Sequence, residues 1–146
     1  MDRNSTEISL PARHDSLVPL LDWLALQAAL AGVSEADARR LRLVLEELFV
    51  NTVDHGFAGG GEGMVSVALA ATPGGAQLRY GDEGPPFDPT DRAPAVSDGV
   101  RPGGFGLGLA RGLAEAMRYR REAGRNILEV DFRFPAKDCL TGRRDG

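Results

Sequence analysis

The sequence predicts an α/β fold: a two-layer α/β sandwich with a mostly antiparallel mixed sheet covered on one face by about three helices. Three observations carry this expectation. Strand-like and helix-like segments follow one another in the order β-α-α-β-β-loop-α-β-β. The strands come in pairs joined by short glycine-containing turns, at Pro73-Gly74-Gly75 and around Gly124, which is hairpin chemistry. Apolar residues such as Leu41, Val44, Leu45 and Leu48 recur at helical spacing and need a sheet face to pack on. Successive strands are not each separated by a helix, so a doubly wound fold is excluded.

Each element has a local reason. Thr6 to Leu10 reads as a strand with Ile8 and Leu10 on one face, closed by Pro11. Ser16 is placed to cap a helix that runs to about Ala31, with Pro19 in its tolerant first turn and Gly32 ending it. Ser34-Glu35-Ala36-Asp37 has capping-box spacing and opens a second helix, expected from Glu35 to Asp54. Met64 to Ala71 and Ala76 to Tyr80 read as a strand pair. A proline-rich loop spans Gly81 to Gly104, a length that in a compact domain points to function or disorder. A helix from about Phe105 to Met117 and strands at Arg118 to Glu122 and Asn126 to Phe134 complete the domain, taken as residues 1–135, with 136–146 as a loose tail.

Composition narrows the chemistry. The 146 residues carry a formal net charge of −4, which disfavours direct nucleic-acid binding. Lys137 is the only lysine and follows no glycine, so neither a P-loop nor the strand lysine of eukaryotic-type kinases is present. Cys139 stands alone and the histidines are His14 and His55, so no intrachain disulfide and no zinc cluster is expected. The longest apolar stretch, Leu17 to Ala31, contains Asp22 and is too short to span a membrane. A polar N-terminus without signal character adds to the expectation of a cytoplasmic protein.

Three motifs carry candidate chemistry. In the first, Glu47 and Asn51 lie four residues apart and His55 four further, one helical face if the helix continues. A carboxylate and an amide oxygen there suit proton abstraction and metal ligation, although a solvated helix face has the same pattern. In the second, Asp82-Glu83-Gly84-Pro85-Pro86-Phe87 leaves a strand end. A carboxylate at such a place can accept from an exocyclic amine, and Gly84 lets backbone approach a flat ring; ordinary turn chemistry reads the same way. In the third, Gly103-Gly104-Phe105-Gly106-Leu107-Gly108 runs into a helix and offers backbone N–H groups to an anion, or else a flexible linker.

In this order, E-x-x-x-N, then D-x-G-x-P-F, then a long loop, then G-x-G-L-G, the chain resembles the GHKL (Bergerat-fold) ATPases. Within them EELFVNTVDHGF is similar to the signature of stand-alone anti-sigma factor serine/threonine kinases, the switch-protein kinases of bacterial partner switching. The resemblance implies ATP and Mg²⁺ as cofactors. Glu47 would be the general base, Asn51 the metal ligand, Asp82 the reader of adenine with Gly84 under the base, and Gly104, Gly106 and Gly108 the triphosphate cradle. His55, Phe87, Arg101, Phe105 and Leu107 complete the implied nucleotide-binding set. The implied partners are a STAS-domain anti-anti-sigma protein, a sigma factor, or both, with no direct nucleic-acid or membrane contact; a homodimer rests on the resemblance alone. The alternative is a non-catalytic nucleotide-binding module that sequesters a protein partner. The chain departs from the group at Thr52, where alanine is usual, a change expected to leave the chemistry alone, and in its third motif, which is nearer the histidine-kinase form.

Overall fold

A computed structural model describes residues 5–56, 63–90 and 112–135. The elements run β1 (Ser5–Pro11), a 3-10 turn (His14–Ser16), α1 (Leu17–Leu30), α2 (Glu35–Asn51), a π turn (Thr52–Gly56), β2 (Met64–Thr72), β3 (Gly75–Asp82), β4 (Ala116–Glu122) and β5 (Arg125–Arg133). The five strands form one sheet in the order β1-β2-β3-β5-β4. Every pairing among them is antiparallel, so the sheet is not mixed as expected. Hairpin connections account for β2–β3 and β4–β5, and β5 returns beside β3 to close the order.

The core lies between the sheet and the two helices. Leu20, Leu24 and Ala28 of α1 and Leu41, Val44, Leu45, Leu48 and Phe49 of α2 are buried against Val65, Val67, Leu69, Leu78, Tyr80, Leu128, Val130 and Phe132. The strand residues obey the period of two, so their neighbours face outward. That outer face is polar: Arg118 pairs with Asp131 and Glu129, and Arg120 with Glu122 and Glu129. The Arg118 guanidinium holds the Asp131 carboxyl below its ordinary range.

The helix ends follow their local sequence with one exception. Ser34 caps α2: its Oγ accepts from the Asp37 N–H at 3.1 Å and donates to the Asp37 carboxylate. Gly32, at φ 77°, ends α1, with Val33 N–H bonded to Ala28 O and Gly32 N–H to Ala29 O, the paired bonds of a Schellman cap. Ser16 does not cap α1 through its side chain, because its own backbone is already helical in the preceding 3-10 turn. The helix expected to reach Met117 ends earlier, since Ala116 already belongs to β4; only Gly112 and Leu113 of it fall among the described residues, and they are helical. Residues 105–111 of the expected third helix and the tail 136–146 lie outside the described residues.

Two tight turns fix the hairpins. Gly75 sits where a Cβ would lie 1.8 Å from the Phe132 carbonyl oxygen, so only glycine lets the start of β3 lie this close to the end of β5. The β4–β5 turn has Ala123 at φ 51° and Gly124 at φ 76°, the two positive angles of a type I′ turn. Alanine is costly there. Ala123→Asn is expected to raise stability by about 1 kcal/mol, measured as a higher midpoint in thermal denaturation. An unchanged midpoint would show that the turn carries no strain.

α1 is apolar nearly all round. Leu20, Leu24 and Ala28 point inward, while Val18, Leu26 and Leu30 are 66%, 56% and 73% exposed on the opposite face. Among the described residues no helix is long and apolar enough to cross a membrane.

Candidate functional site

The site lies at the end of the sheet where β3 stops and β5 begins. Register places Asp82 opposite Asn126, and Asn126 opposite Arg121 on its other side. All three point to the helix-covered side, as do Tyr80, Leu128 and Tyr119 in the next row. The C-terminal end of α2 comes down on this corner and supplies Leu48, Asn51 and Thr52. Together with Phe87 and Pro89 these residues line a cavity of about 20 Å³. That is room for about one water molecule. Phe87 stands on the cavity's outer wall and is 47% exposed.

Asp82 is held on both oxygens. Its Oδ1 accepts from the Gly84 N–H and from Asn126 Nδ2, each at 2.9 Å. Its Oδ2 lies 3.3 Å from Thr52 Oγ1. Gly84 thus serves the site through its amide, which folds the D-x-G turn back onto the carboxylate, and its carbonyl accepts from Arg121 at 2.8 Å. Thr52 Oγ1 is 2.6 Å from the Tyr80 hydroxyl, and both hydroxyls reach the Leu48 carbonyl. Burial pushes the Tyr80 hydroxyl far above the ordinary tyrosine range, so it stays protonated and able to donate.

Asn126 ties the corner together. Its amide donates to Asp82 and to the Pro85 carbonyl. Its oxygen accepts from the Phe87 N–H, the Tyr119 hydroxyl and Arg121. One side chain therefore fixes the carboxylate, the D-x-G-x-P-F loop and β4.

On the facing helix, Glu47 and Asn51 are half-buried and neither makes a side-chain hydrogen bond among the described residues. Asn51 lines the cavity and Glu47 stands one turn back. The expected helical face does not extend to His55. α2 ends at Asn51, not Asp54, and the chain continues as a π turn whose wider i→i+5 spacing breaks the i, i+4, i+8 alignment. The His55 side chain, Arg101, Gly104, Phe105, Gly106, Leu107 and Gly108 lie outside the described residues.

Of the residues named from the sequence, the structure brings Asn51, Asp82, Gly84 and Phe87 to this corner and leaves Glu47 one turn back on α2; Thr52, Tyr80, Tyr119, Arg121 and Asn126 stand there too and were not among the named candidates. Thr52 was expected to be indifferent; instead its hydroxyl touches the site carboxylate. Arg121 shares a basic stretch with Arg118 and Arg120, yet it alone of the three reaches the Gly84 carbonyl and Asn126. The strand period of two was the available signal: it sends Arg118 and Arg120 to the outer face and Met117, Tyr119 and Arg121 to the inner one.

A larger groove of about 920 Å³ lies at the other end of the sheet, between the α1–α2 connection, the β2–β3 hairpin and the end of β5. It contains none of the motif residues, so size alone does not mark the site. No cluster of three His, Cys, Asp or Glu side chains able to hold a metal occurs among the described residues.

Residues 10–132 match the family model of the histidine kinase-like ATPase domain. The chain is 34% identical over 94 residues to a serine/threonine-protein kinase, BtrW, of Bordetella bronchiseptica; the match covers 62% of this chain and 66% of that protein. The fold is similar to a solved structure of the RsbU and RsbW domains of Rv1364c from Mycobacterium tuberculosis, with a TM-score of 0.65 and 21% identity over 88% of this chain and 32% of that one. It is also similar to the histidine kinase domain of a blue-light activated kinase from Erythrobacter litoralis, with a TM-score of 0.56 and 17% identity over 96% of this chain and 72% of that one. With a corner built from the E-x-x-x-N helix and the D-x-G turn, and a family match over most of its length, the chain belongs to the histidine kinase-like ATPase family.

Proposed function

We propose that this chain is an ATP-dependent protein serine kinase and anti-sigma factor, acting in the cytoplasm on a serine of a STAS-type antagonist in bacterial partner switching. The observation that carries the reading is the juxtaposition of Asp82 and Asn51 on one cavity, with Glu47 one turn back on the same helix. The similarity to a serine/threonine-protein kinase supports the choice of acceptor.

The residues divide the work. Asp82 accepts from the amine of adenine, with Gly84 and Phe87 beside the base. The glycines Gly104, Gly106 and Gly108, with Phe105 and Leu107, follow the triphosphate, and Arg101 and His55 are assigned to its outer end. Asn51 would hold Mg²⁺ through its side-chain amide oxygen, a donor that a hard cation accepts. The ion when bound neutralises charge on the phosphates. Glu47 takes the proton from the incoming serine hydroxyl. The serine oxygen then bonds to the γ-phosphorus, the bond to the β,γ-bridging oxygen breaks, and ADP leaves.

The exposed apolar face of α1, with Val18, Leu26 and Leu30, supports a protein partner there, and we assign it to a homodimer. Leu30→Glu is expected to shift the sedimenting species from dimer to monomer; a monomeric wild type would contradict the assignment.

The kinase reading is tested with γ-labelled ATP, Mg²⁺ and a purified STAS-domain protein. Label on serine that is lost when the acceptor serine is changed to alanine is the expected result. Bound nucleotide without transfer would favour the alternative, a module that only sequesters its partner.

A further inference from the structure

Asp82 has four acceptor positions, two on each oxygen. On Oδ1 both are used, by the Gly84 N–H and by Asn126 Nδ2, each at 2.9 Å. On Oδ2, Thr52 Oγ1 lies 3.3 Å away. Two hydroxyl hydrogens, those of Thr52 and Tyr80, share this neighbourhood with two outside acceptors, Asp82 Oδ2 and the Leu48 carbonyl. In one arrangement Tyr80 donates to Thr52 and Thr52 donates to Asp82. In the reverse, Thr52 donates to Tyr80 and Tyr80 donates to the Leu48 carbonyl. The ionised carboxylate favours the first, because a hydrogen bond to a charged acceptor is the stronger one. Asp82 then has one acceptor position left for a ligand.

We propose that Thr52, backed by Tyr80, and Asn126 are positioning residues that restrict Asp82 to one open acceptor, so that the pocket selects a purine presenting one N–H donor. This rests on the nucleotide-site reading above and deepens it. The 6-amino group of adenine needs one acceptor. Guanine presents two adjacent donors, N1–H and the 2-amino group, and needs an acceptor on each carboxylate oxygen; Oδ1 is already full.

The test uses calorimetric titration of the full chain with Mg²⁺ and three probes: ATP, GTP and purine riboside triphosphate, which lacks the 6-amino group. The wild type is expected to prefer ATP over both others. Thr52→Val keeps the shape and removes the hydroxyl; the preference for ATP over the deaminated analogue should fall about 3- to 10-fold. Thr52→Ser should restore it, and Tyr80→Phe should give a smaller loss in the same direction. Asn126→Ser should raise GTP affinity relative to ATP by opening Oδ1. A purely structural role for Thr52 would change all three affinities together and leave the ratios alone. If ATP binds, Asp82→Asn removes it, and Thr52→Val keeps the wild-type ratios, this proposal is overturned while the nucleotide site stands. If the folded wild type binds none of the three, both fall.

Discussion

Changing Glu47 to glutamine should lower phosphoryl transfer by a factor of about 10²–10⁴ and leave nucleotide affinity within about threefold. The substitution keeps size and half-burial, and Glu47 has no hydrogen-bond partner among the described residues whose loss could disturb α2. Its place one turn before Asn51 sets it outside the cavity lining that Asn51 and Asp82 share. Separate readouts, single-turnover transfer and calorimetric binding, distinguish a lost base from a lost site. Transfer that survives the change would mean the serine hydroxyl gives its proton elsewhere, with Glu46 as the neighbouring carboxylate to examine next.

Asn126→Ala should be the most damaging single truncation at this corner, costing about 3–4 kcal/mol of stability in urea unfolding. The side chain makes five hydrogen bonds, to Asp82, Pro85, Phe87, Tyr119 and Arg121. Removing it leaves the Phe87 N–H, the Pro85 carbonyl and the Tyr119 hydroxyl to find new partners, and a buried polar group left unpaired is expensive. Nucleotide affinity should fall with stability, because Asp82 loses a fixed donor. Gln77→Ala, which removes a polar contact to Asp131 on the outer sheet face, is the control and should stay within about 0.5 kcal/mol. Equal losses from the two changes would contradict the role given to Asn126.

Much of the fold was legible because its signals are local. Gly32 and Ser34 mark the break between α1 and α2, Pro73-Gly74 and Gly124 mark the hairpins, and the apolar spacing of α2 names its buried face. What was not legible depends on strand order. Nothing near Asn126 in the sequence says that β5 pairs with β3, yet that pairing brings Asn126 against Asp82. The end of α2 misled for a related reason: spacing by four carries His55 onto the Glu47–Asn51 face only if the helix stays α, and Thr52 begins a π turn. Thr52 itself looked neutral because a hydroxyl for an alanine methyl is a small change in shape. Its consequence comes from Tyr80 and Asp82, which arrive from a strand about thirty residues away. α1 is apolar nearly all round, so its spacing does not say which side is buried; the sheet's position leaves Leu30 on the open side.

The central claim is that Asp82 anchors a nucleotide at the end of the sheet. The most direct measurement is calorimetric titration of the wild type and of Asp82→Asn with Mg-ATP and Mg-ADP. Micromolar binding by the wild type, lost by at least tenfold in the variant while its unfolding midpoint is kept, is the expected result. Folded wild-type protein that takes up neither nucleotide, or a variant that binds both as tightly as the wild type, would contradict it.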